Sequence, residues 1–416
     1  MNRIWKDRRA FLAWNFAICC VLAIFFSSTT RAQSGDDFAF DANDSEYDPV
    51  KVAESTETNL TFVAKVPNGT LAKLDGVCDV IFLEGTPQEM GRAHGALAKD
   101  KILALRELIY AAGAAASSVK GVDFFEKTDE ATKRSLPYVP KRFYDEIDAM
   151  CESAGISQLD GRRLNNFPEL FHCSGITARG KATKGERVLH VRVLDYARGV
   201  GLQNYSQITI YRPKGYNAWL SVSFAGFVGT VTAMNEKGLT VGEMGGGGEG
   251  NWDGLPMTYL MRRIVEECST VDEAIQLMKS VPLTCEYYYC LSDASGAMAA
   301  IAADVTAEQP VVVLRPGEAH ERLPGALDDI CYVSAGARAE ALFARLKENY
   351  GKLDVATLME IIKRPVSMDS NLHDAIFAPE TLDVWRAEAT ASNPACDEPY
   401  LHINLTDALN FFDERR

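Results

Sequence analysis

Cys173, in Phe171-His172-Cys173-Ser174-Gly175, is the side chain of this sequence best suited to attack a carbonyl carbon. A thiolate does so readily once a neighbouring base or positive charge lowers its pKa. His172 and His190 are the nearest bases along the chain, but neither stands in a local signature of a thiol–imidazole enzyme. Two charged residues follow in Arg192-Val193-Leu194-Asp195. On a strand, Arg192 shares a face with Leu194 and Asp195 takes the other, so a bend at Asp195 would be needed to bring the two charges together. Taken alone, they read equally as a surface ion pair. Asn235-Glu236-Lys237-Gly238 has the composition of a tight turn whatever else it does. Gly245 to Gly248 form an unbroken glycine run. It lacks the spacing and the Lys-Ser/Thr end of a phosphate loop. It reads either as a flexible turn or as bare backbone lining a site. Glu169, four residues before Cys173, reads as a solvated or capping carboxylate, or as a neighbour of that site.

The elements that must hold these residues change character near Cys173. Before it the pattern is mostly helical. A short strand at Asp79–Leu83 ends at Gly85-Thr86-Pro87, where Thr86 can cap a helix with Pro87 at its first position. Helices are expected over Gln88 to about Ala112 and Lys141 to Ser153. After residue 173 strands dominate: Val188–Leu194, Gln207–Tyr211, Ala218–Phe224, Gly229–Met234 and Leu239–Glu243, separated by turn residues. Helices at Pro256–Cys268 and Val271–Lys279 follow, the second capped by Thr270. Then come strands at Glu286–Leu291, Met298–Ala302 and Val311–Leu314, and helices at Arg338–Asn349 and Val355–Ile362. Blocks of strands alternating with pairs of helices imply an α+β body with helices layered over sheets.

The whole chain has 416 residues, with 47% hydrophobic and 24% charged. That is ordinary for a globular protein and excludes a largely disordered or multi-span membrane chain. Its net charge of −14, from 43 basic and 57 acidic residues, argues against a nucleic-acid partner. The N-terminus carries Arg3, Lys6, Arg8 and Arg9, then an apolar run from Phe11 to Phe26, then Ser27 to Ala32. This reads as an export signal over 1–32, with an uncleaved membrane anchor as the competing reading. Residues 33–60 are acidic and read as a flexible lead-in. Export permits disulfides. The eight cysteines after the leader would give up to four, or three if one thiol stays free for chemistry. No CxxC or tight Cys/His cluster suggests a metal, and no cofactor motif is present.

Taken together, Cys173, Arg192-x-x-Asp195 and Asn-Glu-Lys-Gly at 235–238 resemble the cysteine N-terminal-nucleophile hydrolases. They are most similar to the autoproteolytic group that includes acyl-coenzyme A:6-aminopenicillanate acyltransferase. Bile-salt hydrolases and penicillin V acylases are more distant relatives. Glu84-Gly85-Thr86-Pro87-Gln88-Glu89-Met90-Gly91-Arg92-Ala93-His94-Gly95, Ala154-Gly155, Asn165–Cys173 and Asp374–Trp385 extend the resemblance over about residues 76–410. It implies an αββα four-layer sandwich of two stacked antiparallel sheets, preceded by a helical pro-segment over 61–172, with 173–416 as catalytic domain. It implies a cut between His172 and Cys173 that frees the Cys173 amine to act as its own base. Arg192 would support the thiolate and Asp195 would hold the new ammonium. Asn235 would be a catalytic residue, and ten positions on, where the bile-salt hydrolase branch places an oxyanion-hole residue, Gly245 would offer a backbone N–H. The second oxyanion Asn usual in such chains would fall in Ser334-Ala335-Gly336, where it is absent.

The resulting expectation is an exported, self-processing cysteine amidase or acyltransferase, secreted or periplasmic, using no cofactor and not inserted in a membrane once its signal is removed. Its substrate would be a small acyl amide or ester, and its two pieces would remain together as a heterodimer. A catalytically silent secreted binding protein of the same fold and a phospholipase B-like lipid hydrolase are the alternatives.

Overall fold

The structure, a computed structural model, describes residues 58–120, 123–166, 172–196, 198–246 and 250–416. The leader, most of the acidic lead-in, Glu169, Gly247 and Gly248 lie outside the described residues. In chain order the elements are β1 (Leu60–Val66), β2 (Gly69–Leu74), β3 (Cys78–Gly85), α1 (Pro87–Leu97), α2 (Lys99–Lys120), α3 (Phe124–Ser135), α4 (Lys141–Ala154) and α5 (Gln158–Asn166). Then follow β4 (His172–Gly180), β5 (Glu186–Asp195), β6 (Ser206–Pro213), β7 (Trp219–Phe224), β8 (Thr232–Asn235), β9 (Thr240–Gly245), α6 (Met257–Glu267) and α7 (Val271–Ser280). The remainder is β10 (Glu286–Ser292), β11 (Met298–Asp304), β12 (Val311–Leu314), β13 (Ile330–Val333), α8 (Gly336–Glu348), α9 (Val355–Ile361), β14 (Asn371–Ala378), β15 (Asp383–Glu388), β16 (Leu401–Asn404) and α10 (Leu405–Asp413).

The strands form two sheets. The first runs β1-β2-β3-β6-β7-β8-β9-β10-β11-β12 and the second β13-β4-β5-β14-β15-β16. Three apolar clusters define the layers. Ala72, Val80, Ile208, Leu220 and Val222 of the first sheet meet Ala375, Phe377, Val384 and Ile403 of the second. Ile176, Val191 and Val193 face Leu342, Leu346 and Leu358 of α8 and α9. The remaining cluster joins the first sheet to the helices of the N-terminal third and to α6 and α7, and takes in Cys173, Leu194 and Val333 of the second sheet. The result is the expected four-layer order of helices, sheet, sheet, helices.

Three features depart from the sequence reading. The segment before Cys173 is not wholly helical: β1, β2 and β3 extend the first sheet, and β3 pairs with β6 in parallel, the one parallel contact in that sheet. The single helix expected from Gln88 breaks at Ala98 into α1 and α2. The break lets α1 lie against α4, where a Cβ on Gly91 would sit 2.1 Å from the Glu146 carbonyl and one on Gly95 would sit 2.3 Å from that of Met150. The third departure is in the cysteines. Cys78, Cys151, Cys173, Cys268, Cys285, Cys290, Cys331 and Cys396 are all buried free thiols, so the expected disulfides are not formed. Cys151, Cys268 and Cys290 pack as small apolar side chains in the core.

The local rules hold where capping decides. Thr86 and Glu89 form a reciprocal capping box, with the Thr86 N–H donating to Glu89 Oε2 at 2.7 Å. Thr270 and Glu273 do the same for α7.

Candidate active site

Cys173 is the second residue of β4, and its neighbours come from the strands on either side. In the ladder, Cys173 stands opposite Leu194 of β5, and His172 opposite Asp195. On the other side Val333 of β13 stands opposite Gly175. Cys173 is 1% exposed and faces the gap between the sheets with Leu194, Val333 and Cys290. Burial pushes its thiol up to about 12; Arg192 and the Asp195 backbone N–H pull it down, while Glu243 and Asp195 push it further up. A thiol in this state is protonated and dry, so reactivity requires a base at the sulfur itself.

Arg192 lies on the same face of β5 as Leu194 and is fully buried. Its guanidinium pairs with Glu243 of β9, Nη2 to Oε2 at 3.1 Å. It also donates through Nε to the Val231 carbonyl at 3.3 Å and through Nη1 to that of Val193. A buried arginine needs such compensation, because an isolated charge here would be costly. Gly242 makes the room: a Cβ there would sit 2.8 Å from Arg192 Cδ.

Asp195 stays on the opposite face. No bend brings its side chain round to Arg192, because β5 is paired at this residue on both sides, with His172 and with Asn371. Its carboxylate instead meets α8. Arg338 Nη2 donates to Oδ2, and the Met368 N–H donates to Oδ1 at 2.9 Å. Burial raises the Asp195 pKa, while Arg338, the Met368 N–H and Arg192 lower it. Arg192 and Asp195 therefore act on Cys173 from the two faces of one sheet.

Asn235 stands elsewhere. Both protons of its amide go to backbone carbonyls at the end of α6, Val265 at 2.9 Å and Cys268 at 2.8 Å. Its Oδ1 accepts from the N–H groups of Lys237 and Leu239, each at 3.0 Å. The residue closes the β8–β9 hairpin. It stands opposite Leu239 at the far end of β9 from Gly245, about 20 Å away at roughly 3.3 Å per residue. Gly245 is at the Cys173 end. It lines a cavity of about 370 Å³ with Met244, Tyr288, Ala300, Ala302, Leu314, Val333, Ser334, Ala335 and Gly336. The wall is mainly apolar, and Ser334 ties it to β4 through a 2.9 Å contact with Ser174 Oγ.

His190 is buried and bonded through Nδ1 to Ser292 at 2.9 Å. Burial, then Arg192, lowers its pKa to about 3, so it stays neutral and is not the base for Cys173.

Sequence reasoning did not find Glu243, Arg338 or Ser174. Glu243 had a signal: it is the one carboxylate in the apolar stretch Leu239 to Met244, and Arg192 required a buried counter-charge. Arg338 had none, since only the fold places the start of α8 behind β4.

The chain thus has two stacked sheets between helical layers, with Cys173 on a central strand, Arg192 on one face of the neighbouring strand and Asp195 on the other. Residues 183–320 match the family model described as acyl-coenzyme A:6-aminopenicillanic acid acyl-transferase, the group that the sequence motifs resemble. The matched stretch carries Arg192, Asp195, Asn235, Glu243 and Gly245 and begins beyond Cys173. The chain is 24% identical to Protein dcd1A of Dictyostelium discoideum over 77% of its length and 80% of that protein. It is 26% identical to Protein dcd1B of the same organism over 55% of its length, which is about half (51%) of that protein. It is 24% identical to the N-acylethanolamine-hydrolyzing acid amidase of Mus musculus over 40% of its length and 48% of the enzyme. Among solved structures, it is similar to a Caenorhabditis elegans ortholog of that amidase at TM-score 0.38 and 15% identity, covering 50% of this chain and 93% of the other. It is also similar to penicillin V acylase from Agrobacterium tumefaciens at TM-score 0.39 and 12% identity, covering 56% and 86%.

Proposed function

We propose that this chain is an exported cysteine amidase that cuts itself before Cys173 and hydrolyses linear acyl amides through a thioester. The observation that carries the reading is the buried Cys173 with Arg192–Glu243 on one face and Asp195 on the other. A thiol held at about 12 is too weak an acid for a neighbouring carboxylate to deprotonate. Cleavage of the His172–Cys173 bond would supply a base, because the freed α-amine has an ordinary pKa near 8. The amine takes the thiol proton, the sulfur attacks the acyl carbonyl, and the resulting ammonium passes its proton to the leaving amine. Water then attacks the thioester and returns the proton to Cys173. Arg192 supports the thiolate, Asp195 holds the ammonium, and Gly245 offers a backbone N–H to the oxyanion from the cavity wall. Asn235 enters this reading as the residue that fixes the β8–β9 hairpin.

The apolar cavity suits an acyl chain, which is why an acyl amide is the proposed substrate. Export favours hydrolysis over transfer from coenzyme A, a cytoplasmic cofactor. The two pieces are proposed to stay together as a heterodimer. The Ser334-Ala335-Gly336 triplet, where the resemblance implies a second oxyanion asparagine that this chain lacks, favours a second reading as a silent binding protein of the same fold.

Intact mass under denaturing, reducing conditions tests the choice. Self-processing gives two pieces of roughly 15 and 27 kDa at about 0.11 kDa per residue, absent from Cys173→Ala. A single uncut chain that forms no thioester with activated acyl donors overturns the amidase reading in favour of the silent one.

A further inference from the structure

We propose that Arg338 is a positioning residue of this reaction, holding Asp195 as an aligned carboxylate directly behind the His172–Cys173 peptide. The proposal rests on the amidase reading above. Arg338 stands in the first turn of α8, on the outer face of the second sheet. Its guanidinium reaches three partners from different parts of the chain. Nε donates to the Val366 carbonyl at 2.7 Å. Nη2 donates to Ser174 Oγ at 2.9 Å and to Asp195 Oδ2. Ser174, Asp195 and Val366 are all buried, so each contact is made away from water.

This is more than a fold-stabilising pair, because of where the partners stand. Ser174 is the residue after the nucleophile, and Asp195 is opposite the residue before it. With the Met368 N–H on the other oxygen, Arg338 fixes the plane of the Asp195 carboxylate beside the bond to be cut. Ser174 passes the contact on to Ser334, which lines the cavity. One guanidinium thus sets the carboxylate, the nucleophile strand and the cavity wall in a single arrangement. Such a planar, multiply bonded role is one that lysine fills poorly.

Among the described side chains, the charged and titratable groups around Asp195 are Arg338 from α8, Arg192 from its own strand, Cys173 from β4 and Asp374 from β14. Burial works against an ionised Asp195, and Arg338 is the largest group working for it. Removing Arg338 moves the ionisation of Asp195 to higher pH. A protonated Asp195 no longer stabilises the Cys173 ammonium, so the acid limb of the rate profile moves with it.

The test compares processed wild-type protein, Arg338→Met, Arg338→Lys and Cys173→Ala in hydrolysis of decanoyl-aminomethylcoumarin from pH 4 to 9. Arg338→Met is expected to lower kcat about tenfold or more with KM changed less than about threefold, and to raise the acid limb by about one pH unit. Arg338→Lys recovers part of the shift, since it restores charge without the fork. Should the methionine variant not melt cooperatively, Arg338→Gln keeps a donor without the charge and is read in its place. An acid limb that stays at the wild-type pH, or a loss confined to KM, overturns the proposal while leaving the amidase reading standing. Absence of any Cys173-dependent turnover in the wild type overturns both.

Discussion

The charges beside Cys173 are arranged as a balance rather than a simple activation. Arg192 is neutralised by Glu243 in the dry space between the sheets, so the thiol meets a pair and not a lone cation. Breaking that pair exposes its cost. Glu243→Ala leaves Arg192 buried and uncompensated and is expected to destabilise the fold by about 3–5 kcal/mol, read as a shift in the urea midpoint. Glu243→Gln, which keeps an acceptor, should lose less. Gly242→Ala is expected to act on the same group by crowding: its methyl would press on the Arg192 side chain at about the cost of core overpacking, about 1–3 kcal/mol. Its signature is a fall in kcat in a protein that still melts cooperatively. At this scale the sequence is informative about types and poor about partners. Cys173, Arg192 and Asp195 stand out from residue type and spacing, and strand alternation already places Arg192 and Asp195 on opposite faces. Arg338 follows Asp195 by more than a hundred residues, and no local pattern links them.

At the scale of elements, the turn at Asn235 shows one motif with two readings and a structural decision between them. Four hydrogen bonds commit its amide to the hairpin and to the end of α6. Asn235→Ala should therefore lower stability by about 2 kcal/mol or more, since it strips partners from buried backbone groups. Catalysis per folded molecule should fall far less than with Cys173→Ala. Active-site titration alongside thermal melting separates the two effects. The strands and caps that follow local rules were legible: Thr86 and Thr270 cap helices as their neighbours demand, and most strand limits fall within a few residues. The break at Ala98 was not, because it answers to α4, on which α1 closes through Gly91 and Gly95. Nor were α3 and α5, which are short and polar and take their place from what they pack against.

The whole molecule carries its own titration. Asp374 is buried against Asn371 and Tyr400, and burial, with Asp195 nearby, pushes its carboxyl up to about 8. An unfolded aspartate titrates near about 4. Between about pH 4 and 8 the folded protein holds a proton that the unfolded chain has released, so this group's contribution to stability falls as pH rises through that window. Asp374→Asn should narrow the difference between urea midpoints measured at pH 5 and pH 8. The two sides of the proposed cut are joined by more than contact. Glu146 of α4 pairs with Arg262 of α6 at 2.7 Å, both fully buried, and Arg262 also faces the rings of Phe143, Tyr211 and Trp219. The parallel pairing of β3 with β6 has a consequence for how the molecule can be built. A polypeptide starting at Cys173 would begin life with β6 as a naked edge, its row of backbone donors and acceptors open to any passing strand. Such an edge invites aggregation. Residues 60–85 cover that edge, and a gene trimmed to residues 173–416 alone should yield inclusion bodies unless the missing three strands are supplied in trans.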